Sequence, residues 1–436
     1  MKAVLEGIKV LDVSQVAAVP MCARHLGDFG ADVIHVEHAT RGDSWRVLQA
    51  GYGGGAGVPS EINYNWEAFN RNKRSLAVDI SHESGRNIIY KLVKETDVFV
   101  TNLRLPEKEK HGVSYDALRR INPKLIYACL TGHGKKGPNR ETPAYDTTVY
   151  WGRSGVTSTL TVPGLSGPAP RPAFGDVVAG LGLAFGIVMA LYHRDKTGIG
   201  QEIDTSLLHT GIYQLTFDVS AALATGQDIV EYRLNPPEVL DEELKKRRDE
   251  LIGDAQKAIA CLSQFYRENS PNPLANRYTT KDDKVIGFNA LQSDRFWAEF
   301  CRVIERPDLE EDPRFISSEA RTENKGELYP ILRDAFLTRT LDEWTPHLVG
   351  LPYAPIQNTV DVVNDVQAEA NNMFLPVDHP IYGPMKVIAN PINLSETPAT
   401  YRLPSPEFSQ HTEEILLELG YSWEDIARLK EEGTIA

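Results

Sequence analysis

The sequence predicts an α/β protein built on a mostly parallel β-sheet that is covered by helices on both faces. Short β-branched runs alternate with helical segments through the first 130 residues, a pattern typical of repeated β-α-β units. A long uncharged segment, Val177–Tyr192, predicts a helix that is apolar on every face and is therefore expected to be buried. The composition, 42% hydrophobic and 24% charged over 436 residues, is that of a globular chain with two or three domains.

Five strands are expected in the N-terminal part, each a short apolar run rich in β-branched residues. They are Gly7–Asp12, Ala31–Glu37, Ser75–Asp79, Asp97–Thr101 and Leu125–Leu130. Helices are expected between them, at 82–95 and 114–122 among others. The turn after the first strand lacks the Gly-x-Gly-x-x-Gly pattern of dinucleotide sites, so the sequence argues against a dinucleotide cofactor.

Asp176 stands directly before the apolar segment and follows Gly175. This position predicts a helix N-cap, where a carboxylate accepts hydrogen bonds from free amides and the helix dipole lowers its pKa. The charged residues 193–196 end the segment after sixteen apolar or small positions, fewer than the roughly 20 that cross a bilayer. We therefore expect a core helix and no membrane span.

The charge and the cysteines exclude several classes of function. A net charge of −14 argues against nucleic-acid or anionic-membrane binding, since both need a basic surface, and an anionic ligand would require local basic groups. The N-terminus lacks a secretory signal, so we expect a cytoplasmic protein. Four cysteines, Cys22, Cys129, Cys261 and Cys301, are far apart with no histidine at metal-ligand spacing, and predict neither a metal site nor a redox dithiol.

Changes in composition divide the chain into five regions. A charged, helix-prone block followed by Ser, Asn and Pro marks a linker or insertion, and a stretch rich in Pro and Asn marks a second linker. We expect the large domain at 1–225, the linker at 226–272, a small domain at 273–349, a return linker at 350–400 and the C-terminal part of the large domain at 401–436.

Six stretches in a fixed order resemble the class III CoA-transferases, the family that includes formyl-CoA transferase and the α-methylacyl-CoA racemases. They lie at 5–43, 70–80, 97–105, 112–134, 175–208 and 411–420. The resemblance implies a large Rossmann-like parallel-sheet domain, a smaller α+β domain and two chains interlocked in a homodimer. A heteromer with a paralogous subunit stays open. No tightly bound cofactor is expected, because coenzyme A and acyl-CoA act as substrates.

The resemblance also assigns roles to residues. Asp176 matches the catalytic aspartate, which forms a mixed anhydride with the donor acyl group and then an aspartyl-CoA thioester. Three residues, Gln15, Val16 and Ala17, match the loop that lines the thioester end of CoA, although formyl-CoA transferase has Gln in place of Ala17. The other expected CoA contacts are basic side chains for the phosphates and backbone contacts, namely Lys73, Arg74, Asn102, Leu103, Arg104 and Lys110.

Tyr145 distinguishes between branches of the family, and it is also expected to contribute to the CoA site. Racemases carry a histidine before the aspartate that corresponds to Asp146, because racemisation needs acid and base groups on opposite faces of the α-carbon. Tyr145 stands in this slot and favours transfer. Acyl-CoA racemisation or isomerisation, and a non-catalytic subunit of a heteromeric transferase, stay as alternatives.

Overall fold

The protein folds into two compact units in the computed structural model, which describes residues 2–47, 58, 60–161, 167–228, 267–268, 270 and 272–436. One unit comprises Met1–Leu234 and Ala370–Ala436, and the other comprises Asn235–Glu369. The first unit is therefore built from both ends of the chain. Most of the expected linker at 226–272 lies outside the described residues.

A six-stranded parallel sheet forms the centre of the first unit. Its strands are β1 (Lys9–Val13), β2 (Asp32–Glu37), β3 (Lys73–Ala77), β4 (Val98–Thr101), β5 (Ile126–Thr131) and β6 (Glu202–Ser206). The order across the sheet is β3-β2-β1-β4-β5-β6, with every neighbouring pair parallel. This is the Rossmann order, and it confirms the predicted fold class.

Helices cover the sheet. In the described residues of the first unit, nine α-helices come before the second unit in the sequence. They are α1 (Ala18–Asp28), α2 (Tyr64–Asn70), α3 (Glu83–Val93), α4 (Leu105–Lys110), α5 (Tyr115–Ile121), α6 (Val156–Thr159), α7 (Phe174–Thr197), α8 (Leu207–Gln214) and α9 (Thr216–Thr225). Apolar side chains of α1, α7 and α8 form the core on one face of the sheet, and those of α3 and α5 on the other. Both faces are covered, as predicted.

The second unit has a three-stranded antiparallel sheet and short helices around an aromatic core. The strands are β7 (Arg277–Thr279), β8 (Val285–Phe288) and β9 (Tyr353–Pro355). The helices are α10 (Ser293–Val303), α11 (Ser318–Glu323), α12 (Lys325–Phe336), α13 (Leu341–Trp344), α14 (Thr359–Val363) and α15 (Val366–Ala370), the last at the boundary between the units.

The C-terminal segment completes the first unit. A hairpin of β10 (Phe374–His379) and β11 (Gly383–Ile388) precedes helices α16 (Thr412–Glu418) and α17 (Trp423–Glu431). These two helices contribute to the core on the α3 and α5 face. Ile435 forms an antiparallel bridge with Val78 just beyond β3, so the chain end is fixed to this edge of the sheet.

Helix α7 is buried along one face only. Ala179, Leu183 and Ile187 pack into the core beside α1. The opposite face exposes large apolar side chains at helical spacing, namely Phe174, Val177, Val178, Phe185, Val188, Met189 and Tyr192. The prediction that this helix is buried on all faces is therefore wrong for the single chain, because the absence of charged residues does not tell which faces pack against the rest of the chain.

The length of α7 also differs from the expectation. It spans 24 residues, and an 18-residue window with a mean hydropathy of 2.0 would allow a membrane crossing by length and composition alone. Its packing is nevertheless that of a helix that covers a sheet. Half of the window is buried inside the chain, and a Cβ on Gly180 would lie 2.5 Å from the carbonyl oxygen of Ala18, so α7 and α1 are in backbone contact.

Candidate active site

Asp176 lies in the first turn of α7, as the third residue of the helix. The N-cap is Ala173, whose left-handed backbone (φ 58°) turns the chain into the helix, so the prediction that Asp176 is the N-cap is wrong. A side chain from elsewhere supplies the cap instead. The amide of Gly175 donates a hydrogen bond to Oδ1 of Asp146 at 2.9 Å.

The Gly-Asp pair owes its glycine to the tight space at this turn. A Cβ on Gly175 would overlap the ring of Tyr150 and the carboxylate of Asp146. Any larger residue would therefore push Asp146 away from the start of α7. The glycine thus allows the helix that carries Asp176 to be held by the neighbouring carboxylate.

Both carboxylates have raised pKa values. Burial is the main cause that raises the pKa of Asp176 to about 7, and the charge of Asp146 raises it further. Burial also raises the pKa of Asp146 to about 6, although the amides of Gly175 and Asp176 act to lower it. The expectation that the helix dipole keeps the pKa of Asp176 low is wrong, because loss of hydration outweighs the dipole. Shifts of this kind in adjacent buried groups are typical of functional sites.

Aromatic residues surround this turn and account for the loss of hydration. The ring centroids of Trp151 and Phe174 are 5.4 Å apart, and those of Tyr150 and Trp151 are 6.4 Å apart. Tyr150 and Trp151 belong to a π-helix at Thr147–Arg153 and are buried. The low polarity of this wall disfavours charge on a carboxylate beside it.

Tyr145 points its side chain to solvent, with 67% of the residue exposed, whereas the adjacent Asp146 is buried. Its backbone is held at both polar atoms by Thr148. The hydroxyl of Thr148 donates to the carbonyl oxygen of Tyr145 at 3.0 Å, and the amide of Tyr145 donates to Thr148 Oγ1 at 3.2 Å. The Tyr-Asp pair therefore directs an aromatic ring outward and a carboxylate inward.

The expected thioester loop lies at the switch point of the sheet. Strand β1 pairs with β2 on one side and β4 on the other, and the loops after β1 and β4 leave the sheet side by side. The amide of Gln15 donates to Asn102 Oδ1 at 3.1 Å, and Asn102 Nδ2 donates to the carbonyl oxygen of Gln15 at 2.7 Å. The structure thus brings these two predicted site residues together where ligands of open α/β sheets bind.

Val16 has an unusual backbone conformation for a β-branched residue. Its φ is 72°, in the left-handed region, which is strained for valine. Its amide donates to both carboxylate oxygens of Asp43, at 3.0 and 3.2 Å. Strain held by specific contacts in a loop indicates a functional constraint.

The 14–17 loop also lies beside the start of α7. Ala17 packs in a small apolar cluster that includes Ala173, the N-cap of α7, and Trp45. One turn after Asp176, Gly180 allows backbone contact with Ala18 at the start of α1. The N-terminal ends of α1 and α7 are therefore adjacent, and the loop lies beside the turn that carries Asp176.

Lys73 is not accessible to a ligand in this structure. Its side chain is fully buried, and Nζ donates to Asp12 Oδ2 at 3.0 Å, to Asn70 Oδ1 at 2.8 Å and to the carbonyl oxygen of Pro20 at 2.9 Å. The expected contact between Lys73 and a CoA phosphate is therefore not present. Sequence proximity to a basic motif does not reveal which face of a strand a side chain takes.

Arg74 lies at the amino-terminal ends of the strands, whereas the 14–17 loop lies at their carboxyl ends. It pairs near the start of β3 with the start of β2, whereas the loop follows the carboxyl end of β1. Its guanidinium contacts Asp32, Glu414 and Glu418 at 2.9 to 3.2 Å. The structure does not bring Arg74 to the other predicted CoA contacts.

The remaining predicted contacts follow β4. The amide of Leu103 donates to Thr101 Oγ1 at 3.1 Å, which fixes the turn after the strand. Arg104 is exposed at the start of α4 and is held by Glu107, with Nε donating to Oε1 at 3.0 Å. Lys110 is exposed at the far end of the same short helix. Of the predicted basic contacts, Arg104 is the nearest to Asn102 in the sequence, two residues after it.

Two site residues were not identified as such from the sequence. Asp146 was read only as a marker of the family branch, and its neighbour Tyr145 was the signal that could have identified it. Asp43 lies in a Gly-Asp pair at 42–43 that carries no catalytic pattern, and only the contact with Val16 reveals it. Within the described residues, no group of His, Cys, Asp and Glu has the arrangement of a metal site.

Comparisons with known proteins identify the family and agree with the fold. The family model described as CoA-transferase family III matches residues 5–238 and 262–412. The chain is 32% identical to (R)-2-hydroxy-4-methylpentanoate CoA-transferase from Clostridioides difficile, over 98% of each chain. It is 29% identical to cinnamoyl-CoA:phenyllactate CoA-transferase from Clostridium sporogenes, over 98% of this chain and 96% of the relative.

A solved structure shows the same architecture. The CaiB/BaiF family protein from Brucella suis superposes with a TM-score of 0.75 and 27% sequence identity, covering 96% of this chain and 100% of the other. The parallel sheet, the Gly-Asp turn at the start of α7 and the match across most of the sequence lead to one conclusion. The chain belongs to CoA-transferase family III.

Proposed function

We propose that this CoA-transferase moves CoA from a donor acyl-CoA to an organic acid through covalent intermediates on Asp176. The observation that carries the proposal is the place of Asp176, buried at the start of α7 beside the 14–17 loop, with its pKa raised to about 7. A carboxylate with this pKa is largely ionised slightly above neutral pH and is more basic than an ordinary aspartate. It is therefore suited to act as a nucleophile.

In the first half-reaction, a carboxylate oxygen of Asp176 attacks the thioester carbon of the donor. The carbon–sulfur bond breaks, CoA leaves as the thiolate, and a mixed anhydride remains. The thiolate then attacks the aspartyl carbonyl carbon, and the anhydride bond breaks. This step releases the donor acid, which carries away one oxygen of Asp176, and leaves an aspartyl-CoA thioester.

The second half-reaction reverses these steps with the acceptor acid. Its carboxylate attacks the aspartyl thioester, CoA leaves as the thiolate, and a new mixed anhydride forms. The thiolate attacks the acceptor carbonyl carbon, which yields the new acyl-CoA and restores the Asp176 carboxylate. One oxygen of the acceptor acid stays on Asp176, so each cycle passes an oxygen through the enzyme.

Each attack develops negative charge on a carbonyl oxygen, and amide donors near Asp176 would stabilise it. The N-terminus of α1 has no side-chain cap and lies beside the first turns of α7. Its amides are the donors that we propose. We propose that CoA crosses the switch point of the sheet, with Gln15, Val16 and Ala17 at the thioester end, Asn102 and Leu103 along the chain of the cofactor, and Arg104 and Lys110 toward its phosphates. Tyr145 would contact the substrate from the exposed side.

The apolar face of α7 supports the proposal of a homodimer. Helices α8 and α9 also expose large apolar side chains, namely Ile212, Tyr213, Phe217 and Leu223. Large exposed apolar side chains that recur at helical spacing are typical of an interface between chains. We propose that a second copy of the chain covers this apolar face, in the cytoplasm.

Oxygen transfer tests the covalent mechanism directly. An acceptor acid labelled with ¹⁸O should leave one label on Asp176 after a single turnover, detected by mass spectrometry of the peptide that contains it. Acyl-CoA with hydroxylamine should inactivate the enzyme and convert Asp176 to its hydroxamate. Unchanged transfer activity in Asp176→Ala would overturn the proposal. Asp195→Asn, on the exposed C-terminal part of the same helix, serves as the matched control and should keep its activity.

Two further assays separate the alternatives. An acyl-CoA racemase or isomerase would exchange the α-proton for deuterium without an acceptor acid, and no oxygen label would reach Asp176. A non-catalytic subunit would be inactive alone and regain activity with a paralogous chain. The acids named for the two relatives, 2-hydroxy-4-methylpentanoate and phenyllactate, are the first acceptors to assay.

A further inference from the structure

Four buried ionisable side chains form a row that runs through the sheet to the 14–17 loop. Lys73 Nζ lies 3.0 Å from Asp12 Oδ2, which lies 2.8 Å from His35 Nδ1. His35 Nε2 lies 3.4 Å from Asp43 Oδ2, and the side chains of all four are at most 1% exposed. Asp43 in turn accepts the amide of Val16 through both carboxylate oxygens.

The charges in this row of side chains alternate in sign. Burial lowers the pKa of His35, but the charge and hydrogen bond of Asp12, together with the Asp43 carboxylate close to Nε2, outweigh it and raise the pKa to about 9. His35 is therefore protonated at neutral pH, between two carboxylates. A lysine and an imidazolium balance the two aspartates, so no buried charge is left without an opposite neighbour.

Asp43, the last member of this row of side chains, contacts a strained backbone. Val16 has a left-handed φ of 72°, which costs about 1–3 kcal/mol for a residue other than glycine. Asp43 holds it from the side of β2, and the paired hydrogen bonds between Gln15 and Asn102 hold the loop from the side of β4. The loop is thus clamped on both sides of the switch point.

Asp43 is itself fixed in place. It caps a short 3₁₀-helix at Ser44–Arg46 by accepting the amide of Trp45 at 2.8 Å, and its own amide donates to Glu37 Oε2 at 3.0 Å. Trp45 packs with Ala17 and Ala173 in the apolar cluster at the start of α7. The carboxylate of Asp43 therefore connects the charged row of side chains in the sheet with the loop next to Asp176.

We propose that Asp43, held by His35, is a positioning residue of the transfer reaction that keeps the 14–17 loop in the strained conformation required to bind the thioester end of acyl-CoA. This inference rests on the proposed function. Asp43 does not touch the reacting atoms and acts through the amide of Val16. Loss of this contact would release the loop and weaken acyl-CoA binding, without a direct effect on Asp176.

The test compares Asp43→Ala and Asp43→Asn with Asp28→Asn in the full chain. Asp28 is a buried aspartate at the other end of α1, paired with Arg71 at 2.8 Å, and its loss perturbs the fold without touching the loop. Asp43→Ala should raise the KM for acyl-CoA about 10- to 100-fold, the effect of one charge-assisted hydrogen bond, while the KM for the acceptor acid stays constant. Asp28→Asn should lower the unfolding temperature with an unchanged KM.

Three measurements separate the outcomes. Faster amide hydrogen exchange in residues 14–20 of Asp43→Ala, together with a higher KM for acyl-CoA, supports the inference. Asp43→Asn keeps one acceptor for the Val16 amide and should fall between wild type and Asp43→Ala, and it carries the test if Asp43→Ala does not fold. A transferase whose KM for acyl-CoA and hydrogen exchange do not change in either variant overturns the inference alone. A wild-type chain that neither binds CoA in calorimetry nor transfers it overturns the proposed function as well.

Discussion

The carboxylate of Asp146 caps the helix that carries Asp176, since its Oδ1 accepts the amide of Gly175 at 2.9 Å. The same carboxylate raises the pKa of Asp176 through its negative charge, in addition to the larger effect of burial. Asp146 thus fixes the position of the proposed nucleophile and also sets its basicity. Both effects can be measured separately.

Asp146→Asn should lower the pKa of Asp176. The asparagine keeps an oxygen for the Gly175 amide but removes the negative charge that disfavours ionisation of Asp176. Because the ionised carboxylate attacks, kcat/KM rises with pH through the pKa of Asp176, which is about 7 in the wild type. The acidic limb of the pH–rate profile should therefore move to lower pH in the variant. Glu141→Gln, an exposed carboxylate on the same segment, should leave the profile in place.

Gly175→Ala should destabilise the protein and abolish transfer. The added methyl group would overlap Tyr150 and Asp146, and overpacking of this kind costs about 1–3 kcal/mol of unfolding free energy. Gly326→Ala in α12 is the matched control, because nothing lies within 4 Å of its Cβ position. It should gain about 0.5–1 kcal/mol, as alanine favours the helix. Denaturant unfolding measures both, and equal effects of the two substitutions would contradict the packing argument.

Arg104→Ala should raise the KM for acyl-CoA about 3- to 10-fold, with an effect that shrinks as salt is added, because an exposed cation contributes a screened contact to phosphate. Arg74→Ala removes a positive charge at the amino-terminal ends of the strands and should leave this KM unchanged. Steady-state kinetics at two ionic strengths distinguish them. If only Arg74→Ala raised the KM, CoA would bind at the amino-terminal ends of the strands, which would contradict the proposed CoA site.

Phe185→Glu should convert the proposed dimer to a monomer. Phe185 is 65% exposed on the apolar face of α7, so a charge there costs little within one chain and much in an interface that excludes water. Sedimentation velocity measures the change. Val4→Glu, at an exposed valine outside α7, α8 and α9, is the control and should sediment as the wild type. A wild-type chain that is monomeric at all concentrations would contradict the dimer.

His35 should make stability depend on pH in the alkaline range. Its pKa is about 9 in the folded protein and about 6.5 in an unfolded chain, so protonation stabilises the fold fully below about pH 6.5, and this contribution is lost as the pH rises through 9. The neighbouring charges are Asp12, Asp43 and Lys73, and burial lowers the pKa of Lys73, which acts in the opposite direction. The difference in unfolding free energy between wild type and His35→Gln, measured from pH 6 to 10, should therefore decrease with pH. A constant difference would mean that His35 is neutral.

The sequence predicted the elements of the sheet well because each depends on local pattern. The runs at 7–12, 31–37 and 125–130 have the β-branched composition of buried parallel strands, and β1, β2 and β5 lie within them or at most one residue beyond. Residues 210–226 have a continuous apolar pattern, but they belong to two helices, α8 and α9, which are separated at Leu215. Apolar periodicity continues across this break and gives no sign of it.

The candidate site was predicted unevenly. Gln15 and Asn102 meet as expected, since loops after neighbouring parallel strands leave the same edge of a sheet. Lys73 and Arg74, adjacent in the same basic motif, are separated by the alternation of the strand, which turns one into the core and leaves the other among acidic residues. A motif gives the residue type but not the direction of the side chain.

The sequence by itself determined the parallel α/β fold, the family and the place of Asp176 before a long apolar helix, because these follow from local periodicity and from residue order along the chain. Only the tertiary structure decided what surrounds Asp176. Asp146 replaces it as the helix cap, burial beside Tyr150 and Trp151 raises its pKa, and Asp43 holds Val16 across the switch point. These properties depend on hydration and on contacts between residues up to about 30 positions apart in the sequence, and no local pattern encodes them.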